Sequence, residues 1–217
     1  MIAGLNGLVY HDEDHRYMLP DRRILSVTDI LKSEGLIELD WMTEAARWRG
    51  KVTHHGCRLM LKKTLNWETV HPEIAGFIHS LELFLAASGF LVMGFEEPLH
   101  HPSLLYGGMP DLWGILNGAW TVIDYKTGPV QPWCAFQTAL YVMALIEHQT
   151  LLPAPLKMPM PGSFYLWKRF GLRLMADGSV SKLIPFPDMN DYGLAASLVS
   201  IANWKLNNNY DLWRQNG

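Results

Sequence analysis

The sequence predicts an α/β fold: a mixed central β-sheet with helices on both faces, and extra strands supplied from the two ends of the chain. Three observations lead there. The stretch from Tyr106 to Tyr141 reads as strand, two-residue turn, strand, short loop and helix. Asn117-Gly118 lies between two apolar runs, which is the strongest short-range signal for a hairpin with a type I′ turn. Elsewhere, runs with helical spacing alternate with strand-like runs, the pattern of helices layered on a sheet. At 217 residues, 49% hydrophobic and 18% charged, the chain suits one domain with a sizeable core. Within it, residues 1–89 are expected to supply an N-terminal hairpin and helices, 90–148 the central segment, and 163–206 a C-terminal hairpin and helix.

In chain order, Leu8 to Leu25 alternates as a hairpin with Pro20-Asp21 in its turn. Ser26-Val27-Thr28-Asp29 has capping-box spacing, so a short helix begins there and stops near Gly35. A longer helix follows from Asp40 to about Lys63, with Gly50 and Gly56 marking close backbone approaches. Pro72 opens a helix to about Ser88 that places Ile74, Phe77, Ile78, Leu81, Phe84 and Leu85 on one side. Phe90 to Leu99 reads as a strand ending in Glu96-Glu97-Pro98. The central hairpin and a helix over 131–148 come next. Four prolines make Leu151 to Gly162 a loop, Ala176-Asp177-Gly178 turns a second hairpin, and Met189 to about Leu206 closes the chain as a helix.

The central hairpin carries the chemistry. If its loop is only Asn117-Gly118, pairing counts outward from Leu116 opposite Ala119 and sets Asp111 opposite Asp124. Alternation then puts Asp111, Trp113, Ile115, Trp120, Val122, Asp124 and Lys126 on one face. Opposed residues have Cβ atoms only ~4.5–5.5 Å apart, and like charges there destabilise the sheet. Two carboxylates so placed, at the end of an apolar face, call for a cation. Lys126 helps; a divalent metal answers better. Asp124-Tyr125-Lys126 alone is weak, because an exposed acid–lysine pair is usually a solvated ion pair. Here it ends the apolar run Trp120-Thr121-Val122-Ile123 and so belongs to an interior strand, where charges must be paired or hold metal. Glu97 is a candidate further acid near this site.

Composition limits the alternatives. Two cysteines, Cys57 and Cys134, make neither a disulfide framework nor a metal cluster, so a reducing compartment is expected. The N-terminus has no signal-peptide pattern, and the longest apolar stretch, Leu83 to Phe95, is too short to span a bilayer. A cytoplasmic protein is expected. The net charge of −3 is unlike that of most nucleic-acid binders, but its distribution is uneven. Between Trp41 and Val70 six basic residues face two acidic ones, which makes that segment +4 and the remainder −7. A basic patch on an acidic body fits either a phosphate-gripping groove or a solvated helix face.

Four segments resemble the PD-(D/E)xK nuclease superfamily, in particular its RecB-like, phage-type exonuclease branch. They are Gly-Gly-Met-Pro-Asp ending at Asp111, Ile-Asp-Tyr-Lys-Thr-Gly over 123–128, Gln-Thr-Ala-Leu-Tyr over 137–141, and Arg-Gly-Lys-Val-Thr-His over 49–54. Lys51 stands where the last motif usually has threonine. Ser26-Val27-Thr28 is similar to a segment near the start of phage and mitochondrial members. The resemblance spans roughly residues 10 to 141, and the order of the motifs is more specific than any one of them. Members with an iron–sulfur cluster use four cysteines, so that subtype is excluded.

The resemblance implies a restriction-endonuclease-like core and a Mg²⁺- or Mn²⁺-dependent deoxyribonuclease, an exonuclease of recombination, repair or replication. Asp111, Asp124 and Lys126 would be catalytic. The ion would be held by His54, Asp111, Asp124 and the backbone carbonyl of Tyr125, with the imidazole favouring Mn²⁺ somewhat. Gln137 and Tyr141, one helical turn apart, either contact DNA or tie helix to sheet. Arg49 either holds phosphate or covers apolar surface, and Ser26 and Thr28 either cap a helix or line a phosphate pocket. The implied partner is linear DNA, single-stranded or with a free end, beside a single-strand annealing or replication protein. For a phage-encoded chain the location becomes the host cytoplasm. The rival readings are an inactive nucleic-acid- or protein-binding module of the same fold, and a restriction-type endonuclease.

Overall fold

The computed structural model describes residues 2–3, 7–11, 16–37, 43–152 and 157–210. Among these residues the strands are β1 (Ile2–Ala3), β2 (Val9–His11), β3 (Arg16–Leu19), β4 (Arg22–Ser26), β5 (Leu91–Gly94), β6 (Leu99–His101), β7 (Tyr106–Gly108), β8 (Leu112–Leu116), β9 (Ala119–Lys126), β10 (Trp167–Arg173) and β11 (Lys182–Pro185). The α-helices are α1 (Val27–Ser33), α2 (Glu44–Leu61), α3 (Pro72–Ser88), α4 (Cys134–Leu151) and α5 (Asn190–Asn207). The class is mixed α/β, as the alternation of patterns predicts, but the strands divide between two sheets rather than joining one. A five-stranded sheet runs β11-β10-β9-β8-β5, and a six-stranded sheet runs β1-β2-β3-β4-β7-β6. Each is antiparallel except for one parallel pair, β9 with β10 and β4 with β7.

The predicted central hairpin is β8–β9. Its register runs from Leu116 opposite Ala119 to Leu112 opposite Ile123, and both turn residues have positive φ, 50° at Asn117 and 77° at Gly118. Alternation then sorts the core. Leu112, Ile123 and Tyr125 face α2 and α3 among Ile74, Phe77, Ile78 and Leu81. Trp113 and Val122 face α4 and α5 among Leu140, Ala144 and Val199. Helix α4 forms the crossover between parallel β9 and β10, and β10–β11 is the second predicted hairpin.

Departures from expectation are local. The Leu8–Leu25 hairpin is a three-stranded meander, in which Pro20-Asp21 joins β3 to β4 and β2 pairs with β3. The strand expected from Tyr106 to the Asn117-Gly118 turn is divided: Tyr106–Gly108 is β7 in the six-stranded sheet and Leu112–Leu116 is β8 in the five-stranded one, while the three-residue β6 is a strand beyond expectation. Helix α2 starts at Glu44, where Thr43 is its N-cap and accepts from the Ala46 N–H at 3.2 Å; residues 40–42 of the expected start lie outside the described residues. Residues 153–156 of the proline-rich loop do too. Of the two glycines expected at close approaches, Gly56 qualifies: a Cβ there would collide with the Ile78 side chain, so α2 and α3 touch. At Gly50 a Cβ would reach only Thr127 Oγ1, at 4.0 Å.

The capping box at Ser26 is complete. Its Oγ accepts from the Asp29 N–H at 2.9 Å, and its own N–H donates to Asp29 Oδ2 at 3.1 Å. Ser26→Ala is expected to lower stability by about 1 kcal/mol, read as a reduced urea midpoint with an unchanged slope. Among the described residues no helix is long and apolar enough to cross a membrane.

Candidate active site

Where β8 and β9 end, the chain runs out of ladder and places its charges. Extending the β8–β9 register by one step sets Asp111 opposite Asp124. Both are buried and both line a cleft of 660 Å³, together with His54, Lys126, Gln137 and Tyr141. Asp111 is fixed by two contacts. Its Oδ2 accepts from the Tyr125 N–H at 2.8 Å, and its Oδ1 lies 3.1 Å from His54 Nδ1. In an extended strand the N–H and C=O of one residue point to the same side, so the Tyr125 carbonyl is turned toward Asp111 as well. His54 reaches the strand ends from α2, with its ring 4.6 Å from that of Tyr125.

A second chain of contacts starts at Asp124. Its Oδ2 is 2.6 Å from Lys126 Nζ, which donates to Gln137 Oε1 at 3.2 Å; Gln137 Nε2 in turn donates to the Tyr141 hydroxyl at 2.9 Å. Gln137 and Tyr141 therefore hold helix to sheet through the lysine, and they border the cleft while doing so.

Charge states follow from this packing. Burial pushes the Asp124 carboxyl up to about 6; Lys126 opposes the rise and the Asp111 charge adds to it. Asp111 sits below the usual carboxylate range, because His54 and the Tyr125 N–H outweigh its burial. Burial would depress Lys126, but the facing carboxylates, Asp124 first, hold its pKa above the ordinary value. Lys126 is thus an ammonium at neutral pH, a cation and donor rather than a base. For His54 the charge of Asp111 overcomes burial and raises the pKa.

One acid is corrected. Glu97 is exposed at the strand end, whereas Glu96 joins the cluster. Glu96 Oε1 accepts from the Tyr125 hydroxyl at 2.9 Å, and its Oε2 lies 3.5 Å from Arg58 Nε. The register of β5 shifts between Val92 and Gly94, and Glu96 takes a positive φ of 44°. An irregularity of that kind changes which side a residue faces, and alternation along the strand cannot foresee it. Ligand atoms of His54, Glu96 and Asp111 lie within 4.8 Å of one another. One imidazole and two carboxylates suit a divalent ion, and buried Asp124 stands beside them across the hairpin.

Arg49 takes the second of its two expected roles, covering apolar surface. It packs on α3, with its guanidinium 6.0 Å from the Phe77 ring centroid and 3.9 Å from Glu73, away from the cleft. Ser26 and Thr28 do line the cleft, Ser26 while serving as a cap. Its far wall holds three cations that the motifs did not single out: Arg16 on β3, Arg23 on β4 and Lys32 on α1. Arg16 and Arg23 sit in the meander among apolar residues that dominate its pattern, and only the pairing of β4 with β7 brings that wall to the hairpin.

No protein-family model matches the chain, and no curated protein matches it in sequence. Among solved structures it is similar to alkaline exonucleases. LHK-Exo in complex with dAMP is 14% identical with a TM-score of 0.40, and LHK-Exo from Laribacter hongkongensis is 15% identical with a TM-score of 0.38. Each match covers 87% of this chain and 90% of the other. At such scores the likeness assigns no residue, and the chemistry rests on the site's own geometry.

Proposed function

We propose that the chain is a divalent-metal-dependent deoxyribonuclease of the PD-(D/E)xK type, acting on the ends of linear DNA. The observation that carries this reading is the convergence of Asp111, Asp124, Lys126 and His54 on one cleft, at the open end of the β8–β9 hairpin. His54, Asp111, Asp124, Glu96 and the Tyr125 carbonyl would hold Mg²⁺ or Mn²⁺. When bound, such an ion supplies positive charge to phosphate oxygens and makes water more acidic. Lys126, kept protonated and pinned between Asp124 and Gln137, supplies a second positive charge for the negative charge that develops on phosphate. Gln137 and Tyr141 fix the lysine. Arg16, Arg23 and Lys32 give the facing wall its attraction for a phosphate backbone.

The test is digestion of end-labelled linear single- and double-stranded DNA, and of closed circles, in Mg²⁺ or Mn²⁺ and in chelator. The expected result is metal-dependent shortening of linear DNA with circles intact. Cut circles would point to an endonuclease instead, and no hydrolysis of any substrate would leave a binding module.

Ion affinity should also depend on pH. Binding requires ionised carboxylates and a neutral imidazole, so it displaces protons. With Asp124 half-protonated at about 6 in the metal-free protein, affinity should fall as pH drops through that value, by up to about tenfold per unit below it. Mn²⁺ titrations at pH 5.0, 6.0 and 7.5 measure this, and equal affinities at all three would contradict the ligand set.

A further inference from the structure

Behind the wall formed by His54 and Asp111 lies a second cavity, of 400 Å³. Tyr10, His54, Met109 and Asp111 border both spaces, so the acid–histidine pair stands between them. The outer border of the second cavity is one face of α2, where Lys51, His55 and Arg58 follow at helical spacing with Val52 beside them. None of these four borders the larger cleft. Arg58 is turned to Glu96, whereas Lys51 and His55 are exposed and have no ion-pair partner among the described residues. Of the arginines and lysines of α2, Lys51 and Arg58 border this space and none borders the main cleft, which the helix reaches through His54.

The cavity lies within the ~300–1,000 Å³ range of small-ligand pockets. Its lining has two characters: Val52, Met109 and Tyr10 offer apolar and aromatic surface for a sugar or base, and Lys51 and His55 offer donors at the rim for a phosphate.

We propose that this cavity is a second nucleotide subsite, which takes the nucleotide on the opposite side of the scissile phosphate from the 660 Å³ cleft, with Lys51 and His55 gripping its phosphodiester. The proposal rests on the nuclease reading and adds that the substrate strand is held on both sides of the cut. Continuity with the acid cluster, where Glu96 and Asp111 line the inner end, and the Lys51 charge at the outer rim favour the substrate strand as occupant.

The test uses the full chain carrying Lys51→Ala with His55→Ala, and separately Lys51→Glu; both positions are on the helix surface, so the fold should persist. KM and kcat are measured on a labelled single-stranded oligonucleotide in Mn²⁺. Binding of the same probe in chelator is followed by anisotropy across salt concentrations. The expected result is a KM about tenfold higher with kcat within about twofold, and a salt slope reduced by about one. Lys51→Glu should have the larger effect. Unchanged KM and salt slope in variants that still cleave would overturn the subsite and leave the nuclease reading standing. A wild-type chain that hydrolyses no DNA would overturn both.

Discussion

Asp124→Asn is expected to lower kcat for DNA hydrolysis by about 10³-fold or more while the fold stays intact. The substitution keeps the shape of the side chain and removes its charge. The carboxylate pairs with Lys126 at 2.6 Å and faces Asp111 across the hairpin, so its loss weakens ion binding and unseats the lysine together. Stability should hardly suffer. Burial already penalises this charge, pushing its pKa to about 6, and a neutral amide relieves the repulsion from Asp111. The melting temperature should stay within about 4 °C of wild type, equivalent to about 1 kcal/mol in a chain of this size. Lys126→Ala should cost about 10²–10³-fold in kcat, because it deletes the ammonium that faces the cleft. Single-turnover rates at saturating DNA and Mn²⁺, with thermal melts of the same preparations, check both expectations. Cleavage within tenfold of wild type by both variants would end the proposed mechanism.

The largest effect on stability is expected at Arg169, a residue outside the site. It is 3% exposed on β10. Its NH1 donates to the Ala135 carbonyl at 2.6 Å, and its NH2 donates to the Asp188 carbonyl at 2.6 Å and to Asp191 Oδ2 at 2.8 Å. The guanidinium also lies 4.6 Å from the centroid of the Tyr192 ring. One side chain thus binds the sheet to the start of α4 and to the start of α5. Arg169→Met leaves two part-buried carbonyls and the nearly buried Asp191 carboxylate without their donor, and should cost about 3–5 kcal/mol. Adding Asp191→Leu should recover part of that loss, because the stranded charge goes too. Urea unfolding of the two variants gives the answer. A loss below about 1 kcal/mol in the single variant would mean that α4 and α5 are held by apolar packing alone. Since α4 carries Gln137 and Tyr141, the single variant should also weaken hydrolysis.

Much of this arrangement is legible in the residues because local rules govern it. A two-residue Asn-Gly turn sets a hairpin's register, so the pairing from Leu116–Ala119 out to Leu112–Ile123 and the two faces of β8–β9 follow from counting. Ser26 and Asp29 carry their own cap, and α1 and α3 start where their signals lie. What stays hidden depends on distant pairing or broken alternation. The parallel contact between Leu25 and Tyr106 divides the strands into two sheets, and nothing near either residue announces it. Glu96 replaces Glu97 because an irregular register and a left-handed residue re-aim the chain after β5. Arg49 occurs within a basic motif, yet its place on the helix points it at Glu73 and Phe77.

Calorimetric titration of Mn²⁺ into the wild-type chain and into Asp111→Asn, at pH 7.5, tests the central claim most directly. Asp111 touches both His54 and the Tyr125 amide, so it joins two of the groups that would hold the ion. The account predicts saturable binding with proton release by the wild type, and affinity weakened by about 100-fold or more in the variant. Absence of binding by the wild type, or equal binding by both, would contradict it.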